Sequence, residues 1–474
     1  MPVPPPDRYD LMRLTSIVIL LAAALLVAVT QLTGRFAAPS AASVESPRLI
    51  VLVTIDSLRA DHLGVYGYDR PTSPNIDAFG REAIVVEHAI AQAPYTKASI
   101  ASLMTGLYPT AHKTFSTSAT FIDTMDGTVD GVRGATDVLP DSVTTLAESL
   151  KARGYDTAAL TTNPFLIRDF GFAQGFDRFE FISAEGFASA DDVLGEAAQL
   201  IEAQQQPLFL WIHLMEPHSP YSPAAAFERE LPRLVPPRPI PPSFAIPDYL
   251  APGGSRDARF YETMYDREIR NVDAAFGAFL EWLRENSAWD DTVLVLTSDH
   301  GEEFFEHGGL EHNRTLHDEL VRVPLILRIP GFDPRHVGSQ AQLVDLMPTL
   351  LALADAHAPR GVHGRDLRPM LRGTPEPDEP AYSEIVGQQY AVRTREWKLV
   401  AGPGDERALY ALTRDPGEHH NLAPVHSRQV AAMANVLERM VASAVNAGRQ
   451  VNGATAPVDA ATRRRLEALG YLQR

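Results

Sequence analysis

The chain has 474 residues, 45% of them hydrophobic, enough for one large α/β domain with a smaller appendage. Its 60 Asp and Glu against 42 Lys and Arg leave a formal net charge of -18, which argues against nucleic acid or an anionic membrane surface as the main partner. There is no cysteine, which excludes disulfides, thiolate metal sites, cysteine nucleophiles and any cofactor made by oxidising a cysteine side chain.

In chain order, a short tail (1–13) precedes an uncharged segment (14–34) bounded by Arg13 and Arg35. Its length and apolar centre suit a transmembrane anchor or a long signal peptide. The reading adopted is a retained single-pass anchor followed by a linker (35–47), with the catalytic domain outside the cytoplasm. Cleavage near the small residues Ala37 to Ala42 would instead give a secreted or periplasmic protein.

From residue 48 strand-like and helix-like patterns alternate. Residues 49–53, 158–161, 208–212, 293–296 and 324–329 read as buried strands, and 143–153 and 265–286 as helices. This is the βα alternation of a doubly wound, mostly parallel sheet flanked by helices, here over residues 48–358. Residues 114–140 read as an exposed insertion, and the proline-dense stretch 217–252 as a long irregular loop over the site. A small antiparallel subdomain is expected over 359–425, with pieces at 390–393 and 397–400, then a helix and tail over 426–474.

Chemistry concentrates where these strands end. Asp56 follows the first apolar run, and Asp299 and His300 follow the run 293–298 just before Gly301. In an open α/β sheet, residues at the carboxyl ends of distant strands converge. Thr96 precedes Ile100, Leu103, Met104 and Leu107, an i, i+3, i+4, i+7 stripe that predicts an amphipathic helix with Thr96 as its N-cap. The unpaired N–H groups of that helix start would stabilise an anion on the threonine oxygen. Asp56, Thr96, Asp299 and His300 together amount to a divalent-metal site with a built-in nucleophile. An imidazole ligand disfavours calcium and suits zinc or manganese, with magnesium open. His218 and His312 are assigned to catalysis as substrate or leaving-group contacts, and Lys97, Asn163 and His213 to substrate binding. Structural duty is equally open for His213 and His307, a second metal among His213, Glu216, His218 and His312 is left open, and His419 and His420 read as solvated loop.

Several stretches closely resemble one family. Val53-Thr54-Ile55-Asp56-Ser57-Leu58-Arg59, Leu103-Met104-Thr105-Gly106-Leu107-Tyr108-Pro109, Pro217-His218-Ser219-Pro220-Tyr221, Ser298-Asp299-His300-Gly301-Glu302 and Asp345-Leu346-Met347-Pro348-Thr349-Leu350 look like the sulfatase family of the alkaline phosphatase superfamily, in order from about residue 48 to 425. The resemblance implies a central mixed sheet, a C-terminal sheet subdomain and metal-dependent hydrolysis or transfer of small-molecule, lipid or glycan sulfate or phosphate esters. The chain departs from sulfatases proper at the nucleophile. Their formylglycine arises from Cys or Ser in a Cys-x-Pro-x-Arg motif, and here Thr96, Ala98 and Ile100 stand at the Cys, Pro and Arg. Threonine cannot be oxidised to that aldehyde, so no formylglycine is expected. The family's Lys-Trp-His run would fall near Thr162-Asn163-Pro164. Thr96 instead matches the threonine of the lipoteichoic acid synthase-like and phosphoethanolamine transferase-like branches, whose metal is held by an acid, that threonine and an Asp-His pair. The competing class is a membrane-anchored binding protein that keeps the fold without turnover.

Overall fold

In the computed structural model, which describes residues 46–115, 128–129, 132–133, 135–182, 188–247, 249–250, 254–286 and 289–468, the first apolar run becomes β1 (Leu49–Ile55) with all seven residues buried. A continuous apolar run of this kind belongs to a strand covered on both faces. Its odd and even residues confirm that. Leu49, Val51 and Val53 pack into one core with α1 (Pro74–Arg81) and α5 (Ala258–Asn286), while Ile50 and Leu52 pack into a second core with α2 (Thr96–Thr105) and α6 (Leu346–Leu353). The period of two sends successive side chains to opposite faces.

The other strands of the large sheet are β2 (Ile84–Ile90), β3 (Asp156–Thr161), β4 (Arg178–Phe181), β5 (Leu208–Leu214), β6 (Thr292–Ser298), β7 (Arg322–Val323), β8 (Leu325–Arg328) and β9 (Arg335–Gln342). The order is β7-β2-β8-β6-β1-β5-β3-β4, with β9 also on β2. The five neighbours from β6 to β4 are mutually parallel, β8 runs against both β6 and β2, and β9 is parallel to β2. The sheet is therefore mixed, and parallel through its centre. The parallel crossovers are made by α3 (Leu146–Ala152), α4 (Ala190–Glu202) and the 29-residue α5, about 43 Å long at 1.5 Å per residue.

Two sequence expectations are corrected here. All ten residues of α2 are buried, so this helix is not amphipathic. It lies between the sheet and other helices, and its small residues Ala98, Ser99, Ala101 and Ser102 permit that. Thr96 is its first helical residue, the N-cap position falling to the extended Tyr95, and no side chain caps the helix. The threonine hydroxyl is thereby left for other partners.

A second sheet of β10 (Ala381–Ile385), β11 (Gln389–Arg393), β12 (Trp397–Ala401) and β13 (Arg407–Ala411) is antiparallel throughout and packs on α7 (Ser427–Gly448) through Val392, Leu399, Met433 and Leu437. Buried charge docks it on the large sheet. Asp318 accepts from Arg393 Nη2 at 2.8 Å and Lys398 Nζ at 2.9 Å, and Lys398 also meets Glu418. Removing one partner strands buried charge, so Asp318→Asn is expected to cost about 3 kcal/mol in chemical denaturation at neutral pH. Burial raises the Asp318 pKa, but Arg393 and Lys398 outweigh it and hold the carboxyl well below its usual range. Its contribution is thus present above the ordinary aspartate range and is lost as pH falls through the depressed folded value.

Most of the 114–140 insertion lies outside the described residues, but Ala135–Val138 pairs antiparallel with Ala454–Pro457 of the tail. The segment 14–34 also lies outside them. Among the described residues no helix is long and apolar enough to cross a membrane.

Candidate active site

Register brings the strand ends together. Ile55 of β1 stands opposite Leu214 of β5 on one side and Ser298 of β6 on the other, so Asp56, Met215 and Asp299 leave the sheet at the same level. The chain after Asp56 is clamped: Tyr265 Oη of α5 donates to the Ser57 carbonyl at 2.7 Å and accepts from Arg59 N–H at 2.8 Å. Ser57 takes the left-handed conformation at φ 56°, uncommon for a residue with a side chain. In that position its N–H donates to Asp299 Oδ1 at 3.1 Å and its hydroxyl to Asp56 Oδ1 at 3.0 Å. Local strain thus locks two carboxylates against each other.

Thr96 meets this pair from above. Its Oγ lies 3.2 Å from His300 Nε2, 3.4 Å from Asp56 Oδ2 and 3.4 Å from Asn163 Nδ2. The Asn163 amide also donates to Asp56 Oδ2 at 2.7 Å. Its orientation is settled by the Phe165 N–H, which donates to Asn163 Oδ1 at 2.8 Å. His300 Nδ1 gives its hydrogen to the Gly301 carbonyl at 2.9 Å, so in the neutral imidazole Nε2 presents a lone pair to the cluster. Ser99 of α2 fixes the helix by donating to the Asp299 carbonyl at 2.6 Å.

These residues fit a divalent cation. Asp299 Oδ2 is buried and makes no hydrogen bond, while one atom each from Asp56, Asp299 and His300 lie within 4.8 Å of one another. A buried carboxylate oxygen without a donor is costly unless a cation is its partner. Burial pushes the Asp56 carboxyl up, but His218, His213 and His300 outweigh it and hold it well below the usual range. Burial pulls the His300 imidazole down, but Asp299 and Asp56 in turn outweigh it and raise it.

His213 stands behind Asp56. Its Nε2 lies 3.2 Å from Asp56 Oδ2, and an ionised carboxylate only accepts, so Nε2 carries the hydrogen and Nδ1 accepts from Thr54 Oγ at 2.8 Å. Both ring nitrogens are thus occupied, one by Asp56 and the other by Thr54, and His213 braces Asp56. Such outer partners of a ligand typically carry 10- to 100-fold in metal affinity, about the loss expected for His213→Ala in a metal titration.

Lys97 is the expected site residue that the structure does not bring in. One residue further along the helix points about 100° away. Its ammonium is buried against Thr136 Oγ and Asp137 Oδ1, both at 2.7 Å, and 5.0 Å over the Phe170 ring. It therefore anchors the strand at Ala135–Val138.

His218 and His312 lie side by side, ring centroids 5.1 Å apart, with His312 4.4 Å from the His300 ring. His312 Nδ1 meets Glu302 Oε1 at 3.1 Å, and Tyr221 Oη donates to Glu302 Oε2 at 3.3 Å. Burial pushes the Glu302 carboxyl up to about 7. The loop carrying His218 is tied down by Ser219 and Tyr249, both donating to Glu311, at 3.0 Å and at 2.7 to 2.8 Å. Glu216 is instead engaged with the Ala190 N–H at the start of α4, at 2.7 Å. Ser57, Tyr221 and Glu302 fall inside the family-like stretches of the sequence with no role assigned to them there, and Tyr265 carries no such local signal.

The architecture is the α/β, alkaline phosphatase-like fold. A family model described as Sulfatase matches residues 48–356, and the chain belongs to the sulfatase family. A second, described as N-sulphoglucosamine sulphohydrolase, C-terminal, matches residues 305–446. Among curated relatives, the Delta 4,5-hexuronate-2-O-sulfatase of Bacteroides thetaiotaomicron is 23% identical, covering 91% of this chain and 95% of that protein. Among solved structures, the phosphonate monoester hydrolase of Agrobacterium radiobacter has a TM-score of 0.70 at 20% identity, covering 84% of this chain and 96% of that one. A protein solved with its substrate D-glucosamine-2-N,6-O-disulfate has a TM-score of 0.71 at 19% identity, covering 85% and 99%.

Proposed function

We propose that this chain is a metal-dependent hydrolase of sulfate or phosphate esters that uses Thr96 as its nucleophile. The observation that carries the reading is the threonine oxygen itself, within 3.4 Å of a carboxylate, an imidazole and an amide that all belong to one buried cluster. A hydroxyl needed only for packing or capping has no use for those partners.

Asp56, Asp299, His300 and Thr96 would hold the cation, with zinc or manganese suited better than calcium to the imidazole. When bound, it supplies Lewis acidity that lowers the pKa of the threonine hydroxyl and offsets charge on the transferring group. The chain's own residues do the rest. Asn163 directs an N–H at Thr96 Oγ and keeps it facing the cluster, and Asp56 Oδ2 is the acceptor within reach of its proton, the His300 Nε2 lone pair being the one the cation would take. Attack by Oγ on sulfur or phosphorus forms the threonine ester as the bond to the leaving oxygen breaks. His218 and His312, beside His300, would serve as the leaving-group contacts, with Glu302 behind His312 as a proton source. Breakdown of the threonine ester by water gives a hydrolase, and by an alcohol a transferase. Relatives named for glycan sulfate esters make a sugar ester the first substrate to try, and the segment 14–34 would hold the enzyme at a membrane with its site outside the cytoplasm.

The test is turnover of an aryl sulfate, an aryl phosphate and an aryl phosphodiester with and without zinc or manganese, alongside accurate mass spectrometry of acid-quenched protein. Metal-stimulated release with a sulfo or phospho group on Thr96 is the expected result, and the exact mass tells the two apart. Silence on all three esters, with binding retained, would assign a binding role instead. Thr96 in place of an oxidisable cysteine is what favours that second reading.

A further inference from the structure

Thr96 opens α2 without a cap: the N-cap residue is the extended Tyr95, and no side-chain hydrogen bond closes the first turn there. An uncapped helix start is prone to fray, because its leading N–H groups have no partner within the helix. A nucleophile on that first residue needs the opposite, a position fixed to within about 0.5 Å. The local sequence does not supply it.

The ends of the 114–140 insertion do, by gripping the residues on either side of Thr96. Tyr95 Oη donates to the Phe115 carbonyl at 2.9 Å. Lys97 Nζ, on a side chain only 2% exposed, donates to Thr136 Oγ and to Asp137 Oδ1, both at 2.7 Å, and also to the Asp137 carbonyl. Asp137 joins the two grips, since its other carboxylate oxygen accepts from the Phe115 N–H. A third tie lies further along the helix. His112 Nδ1 accepts from the Thr114 N–H at 3.1 Å, so in the neutral ring Nε2 donates to Ser102 Oγ at 3.0 Å. Asp137 is held in turn by the tail. Among the described strands, residues 135–138 pair only with Ala454–Pro457, Asp137 standing opposite Thr455. Beyond that strand Leu466 is fully buried in the core that also holds Ile100 and Leu103 of α2.

We infer that Asp137, acting through Lys97, is a positioning residue that holds the Thr96 hydroxyl against Asp56 and His300, and that the strand Ala454–Pro457 keeps Asp137 in place. The inference rests on the proposed role of Thr96 and concerns what fixes that oxygen. Ser99 on the Asp299 carbonyl grips the first turn of α2 from the site, and Lys97 on Asp137 grips it from the insertion. Removing the Asp137 charge leaves a buried ammonium without an anion, which drives Lys97 toward water and the helix start with it.

The test combines steady-state kinetics with crystal structures of the full-chain variants Asp137→Asn, Lys97→Met and the double variant Lys97→Met/Asp137→Asn. Each single variant is expected to lose about 10- to 100-fold in kcat with KM within about threefold of the parent, the loss given by a reacting group misplaced by about 1 Å. The double variant is expected to lose no more than either single one, because both substitutions act through one pair. It also carries the test should Asp137→Asn fail to fold, since it buries no unpaired charge. In the crystals, Thr96 Oγ is expected to shift by more than about 0.5 Å relative to Asp56 Oδ2 and His300 Nε2. If the parent turns over no ester, the nucleophile reading fails, and the position of Thr96 Oγ still decides this inference. Parent-like kcat in the double variant, or Thr96 Oγ in its parent position there, overturns it.

Discussion

Thr96→Ala is expected to lower kcat/KM by about 10⁴-fold on whichever ester the parent turns over. The substitution removes one oxygen and one methyl from a buried position on a helix whose ten residues are all enclosed, so the fold has little reason to change. What goes is the hydroxyl that meets Asp56, His300 and Asn163. Thr96→Ser keeps the oxygen but loses the β-branch that restricts χ1, so it should retain activity at roughly a tenth of the parent. Steady-state kinetics on purified parent and variants measure this. Parent-like turnover in Thr96→Ala would remove the threonine from the chemistry altogether.

Asp299→Asn should be nearly as damaging, by a different route. Asp299 Oδ1 accepts from Ser57 N–H at 3.1 Å and His300 N–H at 2.9 Å, so the amide oxygen of asparagine must occupy that position. Its NH₂ is then forced into the place of Oδ2, the buried oxygen that lacks a donor and lies 3.4 Å from His300 Nε2. A pair of N–H groups there repels a cation. Loss of the active-site metal and a fall in turnover of about 10³-fold, equivalent to ~4 kcal/mol of transition-state stabilisation, are expected. Chelator treatment of the parent should reproduce the loss, and zinc or manganese should restore it in the parent alone. Elemental analysis paired with rate measurements checks both halves, and a variant that keeps its metal and its rate would refute the assignment of Asp299.

How much of this was legible beforehand depended on whether a residue's role is carried by its own segment. β1, β5 and β6 are buried on both faces and write themselves as unbroken apolar runs. The polar residues at their ends, Asp56, Asp299 and His300, stand out against them. β2 and β9 gave no such signal. β2 carries half-buried Glu87 and His88, and β9 is polar and bulged, a strand only because β2 offers it an edge. The mixed character of the sheet follows from β8, whose direction no local pattern encodes.

The same division runs through the site. Lys97 looked functional because it adjoins Thr96, and helical geometry turned it toward Asp137. His213 looked like a substrate contact, yet its place opposite Thr54 on β1 makes it a brace for Asp56. Ser57 and Tyr265 matter only because a loop and a 29-residue helix, far apart in sequence, meet above the strand ends.

From the amino-acid order alone came the α/β class, the exclusion of cysteine chemistry, and the four residue types that a metal-assisted nucleophile requires. Composition and hydrophobic period are local properties, and each of those conclusions is local. The tertiary structure decided which nitrogens of His213 and His300 are committed, which oxygen of Asp299 is left without a donor, and which neighbours of Thr96 face it. Those are distances between segments as much as 242 residues apart, from Ser57 to Asp299, and they exist only once strand register has been set by burial on both sides of the sheet.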